Sequence, residues 1–226
     1  MFFDPVYFLY VGPALLLALW AQYRVKSTYA QAQQVPVPLS GAAAAQHILQ
    51  SAGLYNVQLE QVPGHLSDHY DPREKVLRLS SEVFNSRTAA AVGIAAHEAG
   101  HALQDAKGYA PLVIRNAAVP VASFGSGAGI WMVFIGAILS AQTLIWLGIA
   151  LFAGVVVFQL VNLPVEFNAS ARAKEQLASL GIVDDEQMYY VRRVLNAAAW
   201  TYVAATLQAV MVLLYLLSRF GGSNRD

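Results

Sequence analysis

Four long apolar runs divide the chain. Residues 5–22 carry no charge and have the length of a membrane span, with Tyr7, Phe8, Tyr10 and Trp20 placed for the two interfaces. Residues 117–139 and 143–163 form two more runs, separated only by Ser140-Ala-Gln142, which reads as a tight helical hairpin through a bilayer. Gly125, Gly127 and Gly129 in that hairpin allow close helix approach. Residues 197–217 are the fourth run, followed by a short tail over Ser218–Asp226 that reads as mobile.

The stretches between the runs are more polar. Val35-Pro-Val-Pro-Leu-Ser-Gly41 reads as a linker, and 42–52 as a helix ending at Gly53. Residues 57–62 and 75–79 alternate apolar and polar and read as strands, with turns at Pro63-Gly64 and at Asp68–Pro72. Those strands predict a short sheet or hairpin whose edge is able to pair with an extended peptide. Thr88–Lys107 is rich in alanine and reads as a helix, with Asn85 or Ser86 as its N-cap. Residues 164–196 read as two helices parted by Gly181, the first starting at Pro164.

Composition agrees with a membrane protein. Of 226 residues, 57% are hydrophobic and 12% charged, about half the charge of a soluble domain. With no cysteine, thiolate metal sites and disulfides are excluded, so any metal rests on His, Asp or Glu. A formal net charge of zero argues against a nucleic-acid partner. The apolar runs contain no Asp, Glu, Lys or Arg to mark a transport path, only Gln159, Gln208 and Asn162, which disfavours a channel or transporter.

Charge also sets the expected orientation. The start is Met-Phe-Phe-Asp, without the basic residues of a cleaved signal, and Arg24 and Lys26 follow the first run. Four spans then place 23–112 and 164–196 on one side. Those segments hold Arg24, Lys26, Arg73, Lys75, Arg78, Arg87, Lys107, Arg172, Lys174, Arg192 and Arg193, with Arg115 at the membrane edge and only Arg219 and Arg225 in the opposite tail. The basic side is expected to be cytoplasmic.

The candidate chemistry lies in His97-Glu98-Ala99-Gly100-His101. On a helix the two histidines sit one turn apart on one face, where they are able to share a zinc ion. Glu98 lies about 100° further round, within reach of a water beside the metal but not easily of the metal itself. This pattern points to metal-assisted hydrolysis of an amide. The flanking Ala95, Ala96, Ala99, Gly100 and Ala102 suit a tightly packed helix, where two histidines and a glutamate are costly unless something satisfies them. A catalytic zinc needs a third ligand and an open position. His65 and His69 lie near turns and read as surface histidines. Asp105, one turn past His101, is placed either to orient that ring or to solvate a helix end. Glu166 is the stronger candidate, because it follows Leu163-Pro164 where the third span emerges.

Three segments together resemble a known family. Val62-Pro-Gly-His-Leu-Ser-Asp-His-Tyr-Asp-Pro72, His97–His101 and Glu166-Phe-Asn-Ala-Ser-Ala-Arg172, with Tyr109-Ala-Pro and Arg115-Asn-Ala, are similar to the membrane zinc metallopeptidases of the YugP type. More distantly the chain resembles the HtpX-type and integral-membrane CAAX prenyl proteases. The resemblance covers nearly the whole chain. It implies a gluzincin-like site with one zinc per chain on His97, His101 and Glu166, and Glu98 as general base. It also implies a bacterial cell membrane as the location. The distant relatives often carry an acid four residues after the ligand glutamate. Here that position is Ser170, which leaves Asn168, Ser170 and Asp105 as candidates to support the ligands. Arg172, His65, Tyr189 and Tyr190 are candidates for an oxyanion partner.

The expected architecture is mainly α. A four-helix transmembrane bundle carries a small α+β cytoplasmic metallopeptidase part. The segments are 1–24 for the first span, 25–112 for the part with the motif helix, 113–163 for the hairpin, 164–196 for the helices with the third ligand, and 197–226 for the last span and tail. His101 lies about a dozen residues, on the order of 18 Å of helix, from the second span, and Glu166 is nearer the third. The expected function is a membrane-embedded zinc endopeptidase acting on membrane-proximal or misfolded membrane proteins. Its partners are a protein or peptide substrate and the bilayer, with room for a homo-oligomer or a membrane-protein partner. The alternative is a scaffold or assembly factor that keeps zinc without turnover.

Overall fold

The computed structural model describes residues 4–65 and 67–222. The Met-Phe-Phe start, Leu66 and Arg225 in the tail therefore lie outside the described residues. Over the described residues the chain is mainly helical, with one three-stranded sheet. Its elements are α1 (Pro5–Ala32), α2 (Gly41–Ser51), β1 (Gln58–Val62), β2 (His69–Asp71), β3 (Val76–Ser80), α3 (Ser81–Asn85), α4 (Ala89–Ala106), α5 (Ala110–Phe124), a π-helical turn (Gly125–Gly129), α6 (Ile130–Ile138), α7 (Gln142–Ser179) and α8 (Asp185–Phe220). Among the described residues, four helical stretches are long and apolar enough to cross a membrane: 5–32, 110–138, 142–179 and 185–220.

The chain divides into two compact units. One comprises 1–20, 113–164 and 200–226, and the other 21–112 and 165–199. In the first, Val133 of α6 packs with Ile145, Ile149 and Phe152 of α7 and with Tyr215 and Leu216 of α8. Glycines bring the helices of the hairpin together. A Cβ on Gly125 would stand 2.6 Å from the Leu151 carbonyl oxygen, and one on Gly148 would stand 2.6 Å from that of Gly129. Backbones approach this closely only where neither side chain intervenes. Ser218 lies within α8 rather than in a free tail, because the helix continues through Phe220, with Ser218 O–H donating to Tyr215 O.

The second unit is built on α4. Its core joins Ile48 and Leu49 of α2, Leu77 and Leu79 of β3, and Ala95, Ala96 and Ala99 of α4 to Leu177 of α7 and Val191 of α8. The sheet order is β1-β3-β2. β1 runs parallel to β3, pairing Gln58 with Val76, so the two alternating segments do not form a hairpin. The expected turn at 68–72 is instead mostly strand: β2 pairs antiparallel with β3, Tyr70 opposite Leu77. Three residues are too short to show alternation, which is why only turn residues were visible there.

Three further boundaries differ from the sequence reading. Thr88, not Asn85 or Ser86, caps α4, its side chain accepting from Ala91 N–H. Residues 35–41 are tied down as well, with Val37 N–H donating to Arg87 O and Ala89 N–H donating to Val35 O. Pro164 lies inside α7 rather than at the start of a new helix. A proline within a helix removes one N–H and crowds the carbonyl four residues back, but packing on both sides sustains the helix.

Candidate metal centre

Helix α4 presents the motif because its ends and faces are well specified. Thr88 satisfies an N–H at the start. At the far end Gly108 adopts φ 59°, and Tyr109 N–H donates to Gln104 O. Between them the alanine-rich faces are buried. His97 and His101 project one turn apart with ring centroids 4.8 Å apart, edge to face.

Glu166 reaches the same place from α7. The two helices approach closely at Gly100, where a Cβ would lie 2.6 Å from the Ala169 carbonyl oxygen. That contact sets Glu166 Oε2 3.2 Å from His97 Nε2 and 3.6 Å from His101 Nε2. One ligand atom from each of the three residues falls within 4.8 Å of the others. Ligands at zinc–nitrogen and zinc–oxygen distances in tetrahedral array stand roughly 3.3–3.6 Å apart. The donor set, two imidazoles and a carboxylate, is also one that catalytic zinc takes. These residues therefore fit a zinc ion on both chemistry and spacing.

The site is dry on one side. His101 and Glu166 are 7% and 6% exposed, whereas His97 and Glu98 are partly open. Burial works against the charged form of His101. The Glu166 hydrogen bond and the charges of Glu98 and Glu166 outweigh it, so the imidazole pKa is raised above its ordinary value. A cation is thus welcome at this point, whether it is a proton or a metal.

The outer nitrogens are also engaged. His97 Nδ1 lies 3.1 Å from Ser170 Oγ, and His101 Nδ1 lies 2.9 Å from Gln104 Oε1. Gln104 Nε2 donates to Val165 O at 2.7 Å and to Asn168 Oδ1 at 3.1 Å. Arg172 Nε donates to the same Asn168 oxygen at 2.7 Å. The sequence points to Asp105, four residues past His101, and not to Gln104. The signal for Gln104 is an uncharged polar residue three positions past His101, one helical turn on.

The remaining candidates are placed elsewhere or act differently. Asp105 Oδ2 accepts from Tyr70 O–H at 2.7 Å and pairs with Lys75, which ties α4 to β2 and its turn. His65 Nδ1 meets Glu82 Oε2 at 3.1 Å and its ring lies edge-on to Tyr29. His69 Nδ1 bonds Ser67 O. Tyr189 and Tyr190 lie edge to face, with Arg193 over the Tyr189 ring. The Arg172 guanidinium lies 5.9 Å from the Tyr109 ring centroid.

Comparison with known proteins points to a zinc peptidase family. A family model described as "Putative neutral zinc metallopeptidase" matches residues 7–221. The chain is 44% identical over 209 residues to "Putative membrane protease YugP" of Bacillus subtilis (strain 168), covering 92% of this chain and 93% of that one. No solved structure matches significantly.

Proposed function

The chain belongs to the family of neutral zinc metallopeptidases that this model describes, and from that membership we propose that it is a membrane metalloendopeptidase whose zinc is held by His97, His101 and Glu166. The observation that carries the reading is the convergence of the three side chains from two helices, 65 or more residues apart in sequence, within 4.8 Å. When bound, zinc supplies a Lewis acid that polarises the scissile carbonyl and acidifies a water. The chain's own residues do the rest. Glu98 accepts the proton of the attacking water on its carboxylate and then returns it to the leaving amine nitrogen, the exchange that peptide hydrolysis requires. The partial exposure of Glu98 leaves room for water and substrate. Ser170 and Gln104 hold the two rings by their outer nitrogens.

The proposed substrates are membrane-proximal segments or misfolded membrane proteins. Glu166 follows the apolar run 143–163 by three residues on the same helix, so the third ligand stands immediately beyond a span. Segments 25–112 and 164–196 are taken as the metallopeptidase part. Their lysines and arginines favour the cytoplasmic side.

One observation favours the scaffold alternative. A neutral hydroxyl, Ser170, rather than an acid faces His97 Nδ1, so that nitrogen lacks a charged partner to raise the ring's basicity. Turnover decides between the two. Purified full-length protein should cleave a casein-like or membrane substrate and stop on chelation. Glu98→Gln should lose activity by about 10²–10⁴-fold while keeping its zinc. A Glu98→Gln variant that cleaves as fast as wild type contradicts the mechanism.

A further inference from the structure

The hydrogen bonds behind His101 run in one direction only. Arg172 Nε has a proton and no lone pair, so the Asn168 atom 2.7 Å away must be oxygen. Gln104 is completely buried. One end of its amide lies 2.7 Å from the Val165 main-chain carbonyl, which can only accept, and 3.1 Å from that same Asn168 oxygen. That end must be the NH2. Flipping the amide would set its oxygen against two others in a fully buried place. The Gln104 oxygen is left facing His101 Nδ1 at 2.9 Å, and a carbonyl oxygen can only accept. Nδ1 therefore carries the proton, and the lone pair of the neutral ring sits on Nε2, the atom that faces Glu166 at 3.6 Å. The far end is anchored by the Arg172 guanidinium over the Tyr109 ring.

His97 is held differently. Its Nδ1 meets a serine hydroxyl, which can donate or accept. The Ser170 hydroxyl therefore fixes neither tautomer at His97, whereas the Gln104 oxygen fixes that of His101.

We propose that Arg172, Asn168 and Gln104 form a one-way hydrogen-bond relay that locks His101 as the Nδ1-protonated tautomer, with its Nε2 lone pair presented to the metal position. Gln104, Asn168 and Arg172 are then positioning residues, and Arg172 is an anchor rather than an oxyanion-stabilising group. The consequence for zinc rests on the metallopeptidase reading; the tautomer itself does not.

The test uses the full-length chain in detergent micelles with 15N-labelled histidine. In metal-free wild type, at a pH where the ring is neutral, His101 should show a proton on Nδ1 and none on Nε2. Zinc affinity, read by competition with a chelator, should fall about 10–100-fold in Gln104→Leu and about tenfold in Asn168→Leu. Asn168→Asp keeps an oxygen for both donors and should bind zinc within about threefold of wild type, in line with the small cost of retaining both bonds. A merely structural role would lower the melting temperature without moving the His101 nitrogen signals. In Asn168→Leu those signals should shift toward the Nε2-protonated form. If Gln104→Leu does not fold, Arg172→Met weakens the same relay from its outer, half-buried end and should shift the signals in the same sense. An Nε2-protonated His101 in wild type overturns the relay, as does a set of variants with wild-type zinc affinity and unshifted signals. A wild type that binds no zinc overturns the metallopeptidase reading instead, and the tautomer signals still decide the relay.

Discussion

Gly100 lies at the point where the motif helix meets α7. Because a Cβ there would lie 2.6 Å from the Ala169 carbonyl oxygen, Gly100→Ala must push the helices apart. Alanine gains roughly 1 kcal/mol over glycine in a helix interior, but overpacking against backbone costs about 1–3 kcal/mol. The variant should melt no higher than wild type and bind zinc more weakly, since Glu166 rides on the displaced helix. A higher melting temperature with unchanged zinc affinity would show that the contact is not needed. Asp105 offers the opposite case. Its carboxylate serves Tyr70 and Lys75, so Asp105→Ala should cost about 1 kcal/mol of stability and leave zinc affinity alone, as thermal melting and metal titration would show. At this scale the sequence was partly legible. His97, Glu98 and His101 announce themselves by spacing on one helix. Gln104 does not, because a buried glutamine looks like any polar residue until its partners on α7 are in place.

Elements were legible where a period had room to repeat. The long apolar runs and the alanine-rich helix α4 are such cases, and the four helices long and apolar enough to span a membrane correspond to the four runs. The small sheet was harder. The segments at 57–62 and 75–79 show alternation, but nothing local says that they pair in parallel, with the short β2 on the far side of β3. That order is set by packing on α4 rather than by a turn. Pro164 misled for the same reason. Its local preference is a helix start, yet α7 continues through it because residues on both sides are packed, Val165 and Ala169 completely so. Continuity matters for the site. It carries Glu166, Asn168, Ser170 and Arg172 on one rigid element, whose i and i+4 positions serve the two histidines.

For the molecule as a whole, membrane passage and the proposed zinc centre are linked through the chain itself. Residues 142–179 form one helix that begins in an apolar run and then carries Glu166, the proposed third ligand. The natural chain has no cysteine, so single cysteines can be introduced on a silent background to test orientation. Ser51→Cys should resist an impermeant thiol reagent in intact cells and react after lysis, and Ser140→Cys should react in intact cells. The reverse pattern would place the histidines on the outer side. The central claim is that His97, His101 and Glu166 hold one zinc ion. Anomalous scattering at the zinc edge from crystals of the full-length protein tests it most directly. The account predicts a single peak bonded to Nε2 of both histidines and to the Glu166 carboxylate at about 2.0–2.2 Å. A peak coordinated by other residues, or no zinc peak in protein supplied with the metal, would contradict it.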